Sequence, residues 1–168
     1  MKSITVLLLS GLFMMTACGQ KPPASPPASV KETLNSGVTV SINYSQPSVK
    51  GRTIGKDLEP MAGKVWRTGA NEATVFEVDK DVKVEGQALP AGKYGLFTLM
   101  GEDGTWTIIF NKTWKQWGAF NYKEADDALR VNVKGGKGDF SEKMTFTIDK
   151  SGKVSLAWGD HLVSFMVN

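Results

Sequence analysis

Trp66-Arg67-Thr68-Gly69-Ala70-Asn71-Glu72 is the densest mixture of aromatic, charged and flexible residues in this chain. Arg67 carries a planar fork of donors suited to carboxylate or phosphate, and Glu72 is a candidate partner for it. Asn71 can both donate and accept. Two readings follow. One is a polar pocket that orients a ligand beside Trp66. The other is an Arg67–Glu72 bridge with Asn71 pinning a turn into a strand at Ala73. Arg52, close to Pro47 and Gly51, is placed to join such a cluster. Trp114, Trp117, Phe120 and Tyr122 crowd a second stretch. Aromatic platforms bind sugars and other flat ligands, whereas a long loop folded over the end of a sandwich would bury the same rings. The candidate ligand-binding residues are therefore Arg52, Trp66, Arg67, Asn71, Glu72 and Trp117.

Catalytic templates are scarce. There is no nucleophile elbow and no phosphate-binding loop. His161 is the single histidine, which excludes a histidine-rich zinc site, and neither a metal nor a cofactor is expected. It follows Asp160 at a turn and reads as a surface imidazole. Glycoside hydrolysis needs two carboxylates at a set separation. Glu72 is the first candidate acid or base and Asp103, a hairpin residue by its neighbours, the second.

Cys18 is the single cysteine. Lys2 gives a positive n-region, Ile4 to Met15 is a short apolar run, and Met15-Thr16-Ala17-Cys18 reads as a bacterial lipobox. The run is well short of the roughly 20 residues that a spanning helix needs. Residues 1–17 are then a lipoprotein signal peptide and Cys18 the acceptor of palmitate-type acyl chains. Residues 18–37 hold four of the seven prolines and read as an extended stalk. Its Lys21–Gly37 segment would hold a domain roughly 40–50 Å from the lipid surface. Gly19 and Gln20, with no aspartate after Cys18, favour the outer membrane, facing the periplasm.

Residues 38–168 remain as one domain, long enough to bury a core without disulfides. Twenty basic and 17 acidic residues, for a net charge of +3, are scattered without a basic stripe, which speaks against nucleic acid. Val38, Val40, Ile42 and Tyr44 alternate with polar neighbours, as do Thr74 to Val78 and Leu129 to Val133. Tyr94 to Met100 is apolar on both faces, as a central strand would be. Glu102-Asp103-Gly104 and Lys150-Ser151-Gly152 mark turns, and Gly135 to Gly138 a glycine-rich loop. Lys123 to Ala128 can make one helical turn at most. About nine strands at this spacing predict an all-β, antiparallel β-sandwich, jelly-roll-like, or a squat barrel.

Tyr44 to Arg52, Gly63 to Thr74, Leu89 to Thr98, Trp106 to Lys112 and Gln116 to Tyr122 occur in an order and spacing that resembles domain-of-unknown-function family 2911, common in Bacteroidetes envelopes. Leu156-Ala157-Trp158 through Phe165 also resembles that family's closing strands, with Gly159 where its pattern has a glutamate. The resemblance implies a β-rich secreted or lipoprotein domain and no activity. Three expectations stand: a non-catalytic envelope binding domain for a small ligand, glycan or protein partner; a glycan hydrolase using Glu72; or a structural assembly lipoprotein.

Overall fold

Period-two alternation puts one face of a strand into a core and leaves the other to solvent or to a covering loop. The computed structural model describes residues 24–168, and Cys18 with its lipobox lies outside them. Eleven strands are present: β1 Pro27–Thr33, β2 Thr39–Ser45, β3 Val65–Trp66, β4 Thr74–Val78, β5 Val82–Val84, β6 Gln87–Leu89, β7 Gly92–Met100, β8 Thr105–Asn111, β9 Asp127–Lys134, β10 Gly136–Ile148 and β11 Lys153–Met166. Among the described residues there is no α-helix; a single 3-10 turn spans Glu124–Asp126.

One layer has the order β1-β2-β4-β7-β8-β9, all antiparallel, with β3 pairing the far half of β7. The long β10–β11 hairpin covers it and is widened on both sides. On one side, Val49 donates to Glu142 O at 2.9 Å and Met144 to Pro47 O at 3.0 Å. On the other, Lys83 and Asn168 exchange backbone hydrogen bonds of 2.7 and 2.9 Å, joining the β5–β6 hairpin to the C-terminus. The sheets do not close into a barrel, so the sandwich holds.

Val40, Ile42, Phe76, Leu96 and Phe110 face Met144, Phe146, Val154, Leu156 and Phe165 across the layers, all buried. Phe76 meets Phe110 edge-on at 4.9 Å, and Phe110 meets Phe165 at 5.9 Å. Each such ring contributes roughly 1.5–3 kcal/mol by leaving water. β7 is apolar on both faces for a second reason. Phe97 points away from this core into a smaller cluster with Ala73 and Ile109, roofed by Ala119 and Tyr122.

Three expectations are corrected. Pro27–Thr33, placed in the stalk, is edge strand β1, paired with β2 from Pro27↔Ser45 to Thr33↔Thr39. Extended chain with Val30 at a half-buried position suits polyproline II and a β-edge equally, and only the partner strand decides. The glycine-rich stretch at 135–138 lies mostly within β10, whose pairing is irregular between Lys137 and Thr145. The two segments ending at Trp158 and beginning at Leu162 are one strand, β11. Gly159 bridges them at φ +56°, a backbone conformation that strains any residue carrying a Cβ.

Candidate functional site

The chain leaves β3 at Trp66 and enters β4 at Thr74 through a turn that holds two non-glycine residues at positive φ, Thr68 (53°) and Asn71 (59°). For a β-branched threonine this is strained backbone, kept only where surroundings enforce it. Here they do. Thr74 Oγ1 donates to Thr68 O at 2.7 Å, and Thr68 Oγ1 lies 3.2 Å from Thr98 Oγ1, with all three threonines buried. Trp66 Nε1 donates to Gly69 O at 3.0 Å and Ala70 N to Ser45 O at 3.2 Å. Gly69 has no room for a side chain, since a Cβ would sit 2.9 Å from Thr74 Oγ1 and 3.2 Å from Ser45 O.

This rigid turn presents Arg67 to a cavity of about 200 Å³ lined by Arg52, Leu58, Glu59, Trp66 and Trp158, with Ser25 at its rim. The Arg67 guanidinium is half-buried, and its Nε is buried with no hydrogen-bond partner. Burial lowers its pKa from the ordinary arginine value while the Glu59 charge raises it, and the group stays cationic. Arg52 is held from behind, its Nη2 donating to Ser48 O at 2.7 Å and its Nε to Val49 O at 3.1 Å. Trp158 Nε1 donates to Glu59 O at 2.8 Å, and Glu59 Oε2 accepts from Met61 N at 2.9 Å. The turn thus brings two guanidinium groups, Arg52 and Arg67, to one cavity, with the Glu59 carboxyl beside them and Trp66 and Trp158 in its lining.

The expected Arg67–Glu72 bridge is absent: the ion pairs among the described residues are Lys93–Glu77, Arg130–Glu124 and Arg130–Asp127. Glu72 is exposed and lines a different hollow of about 360 Å³ with Asn43, Tyr44, Ser45 and β1, in which no second carboxylate stands. Asn71 does pin a turn, its Nδ2 donating to Ser25 O at 3.3 Å and its carbonyl accepting from Gly118 N at 3.0 Å. Trp117 pairs with Glu72 by backbone and lines neither hollow. Of the six candidates, Arg52, Trp66 and Arg67 therefore share one cavity, and Asn71, Glu72 and Trp117 do not.

Asp103 is a turn residue, accepting from Thr105 N at 3.0 Å and Thr105 Oγ1 at 2.9 Å. His161 is half-buried rather than on the surface, edge-on to Trp106 at 5.8 Å. No group of acidic, histidine or cysteine side chains fit to hold a metal occurs among the described residues. Sequence reasoning missed Glu59 and Trp158, which meet across 99 residues and share no local pattern.

No curated protein and no solved structure matches this chain. A family model described as a protein of unknown function, DUF2911, matches residues 25–167, from just ahead of β1 to the end of the last pairing, and the chain belongs to that family.

Proposed function

We propose that this chain is an envelope lipoprotein, fastened through acyl chains on Cys18 to the outer membrane and facing the periplasm, whose domain binds a small carboxylate or phosphate ligand without catalysis. The lipobox Met15-Thr16-Ala17-Cys18 supports the anchor. The orphaned Arg67 Nε carries the binding reading. A buried donor without a partner costs about 1–3 kcal/mol, and an anion oxygen in the cavity removes that cost. Strain at Thr68 fits the same reading, because it fixes the direction of Arg67 before any ligand arrives.

Thermal unfolding against a panel of small carboxylates and phosphates tests this. A ligand at a hundred times its Kd should raise the melting temperature by about 5–10 °C. The rise should vanish in Arg67→Gln, whose near-ultraviolet circular dichroism should match wild type. No stabilisation by any member of the panel, or equal stabilisation of Arg67→Gln, would overturn the assignment.

The other readings have less support. Glycoside hydrolysis by Glu72 wants a second carboxylate across a cleft, and the hollow beside Glu72 has none. Assembly through strand edges is discouraged at β1, which carries Pro27, Lys31 and Glu32 on its short length.

A further inference from the structure

Trp114, Trp117 and Phe120 are 36%, 60% and 85% exposed, three large apolar side chains within one short loop. The exposed cations Lys112 and Lys115 are interleaved with them. This loop is well fastened. Gln116 O accepts from Ala73 N at 2.9 Å, Gln116 Nε2 donates to Thr113 O at 2.6 Å, and Thr113 N donates to Asn111 Oδ1 at 2.9 Å. Beneath it the Tyr122 ring packs on Phe97 at 5.1 Å, and Tyr122 Oη donates to Asp127 Oδ2 at 2.6 Å. The outer rings thus stay in water while the loop's inner face is anchored, an arrangement that costs apolar hydration unless something covers it.

The start of the folded chain lies beside this loop. Asn71 accepts from Gly118 N through its carbonyl and donates to Ser25 O through its side chain, so Ser25 and the aromatic loop flank one residue. Ser25 follows Cys18 by seven residues, which span at most about 25 Å when fully extended. The tether is much shorter than the stalk expected from composition, because β1 consumes Pro27–Thr33. Tryptophan favours the headgroup level of a bilayer, and lysines beside it attract anionic headgroups.

We propose that the loop from Lys112 to Phe120 docks on an anionic lipid surface and holds the domain with this end against the membrane. The proposal rests on the lipid-anchor reading. The test uses full-length protein purified from bacterial membranes and reconstituted into phosphatidylethanolamine–phosphatidylglycerol vesicles with acyl chains brominated or not. Trp66, Trp106 and Trp158 are 2%, 2% and 1% exposed, so quenching by bromine reports chiefly on Trp114 and Trp117. Docking predicts bromine quenching in wild type that is lost in Lys115→Glu/Phe120→Asp, which keeps every tryptophan and changes only exposed side chains. Mass spectrometry of the N-terminal peptide reads the anchor separately. Acylated Cys18 without quenching, or with quenching unchanged in the double variant, overturns docking and leaves the anchor standing. An unacylated Cys18 overturns both.

Discussion

His161 lies against the edge of Trp106, where burial disfavours the imidazolium and lowers its pKa from 6.5; Asp160 opposes that shift and Lys137 adds to it. The unfolded chain therefore binds the proton more readily than the folded one. The corresponding stability is complete above the unfolded value and is lost as pH falls through the folded value. Melting temperatures between about pH 5 and 8 should slope downward toward acid in wild type and lie flatter in His161→Gln. Turn carboxylates act in a separate, lower window. Hydrogen bonds from Thr39, Thr105 and Ser151 hold Asp79, Asp103 and Asp149 below 3.8. The turns at Glu102-Asp103-Gly104 and Lys150-Ser151-Gly152 were legible in the sequence as local turn chemistry, and the one at Asp79 was not. The surroundings of His161 were not, because Trp106 lies on a distant strand of the opposite layer.

At the scale of elements, β7 is the strand whose reading depended most on its partners. Its unbroken apolar run announced a central strand, and it pairs with β3, β4 and β8. What the run did not announce is that Leu96 and Phe97 serve two different cores. Phe97 is fully buried beneath Tyr122, so Phe97→Ala should cost about 3–5 kcal/mol in denaturant unfolding. Beyond that global loss, amide exchange should accelerate selectively in the loop from Lys112 to Tyr122, since its inner face rests on that ring. Four aromatics in one stretch suggested either a platform or a buried loop. The structure divides them, with Tyr122 facing inward and Trp117 and Phe120 outward, a split that depends on which side of β7 and β8 the loop crosses.

For the whole molecule, the boundary of the folded unit carries a direct prediction. Deleting Pro27–Thr33 should lower the melting temperature and promote self-association. It strips the strand that shields the β2 edge and removes Ala28 and Val30 from the flank of the main core. An unchanged melting temperature would return the segment to the role of a stalk. The seven-residue connection that remains sets how far the Arg67 cavity, with Ser25 at its rim, can stand from the position of Cys18.

Strand alternation, turn residues, the lipobox pattern and the family's ordered motifs are local properties, carried by neighbours at i and i+2 or by contiguous residues. They led to the all-β sandwich that is found, and to an envelope address that stands as an expectation. Which polar residues would meet was set by the register between layers and by the path of the turns. Arg67 faces Arg52, Glu59 and Trp158 because a strained threonine turns the chain there and β10–β11 closes over it. Glu72, five residues on, lies in another hollow because the chain has by then entered the pairing with Trp117. Proximity in sequence suggested a bridge; hydrogen bonding and packing over long separations decided otherwise.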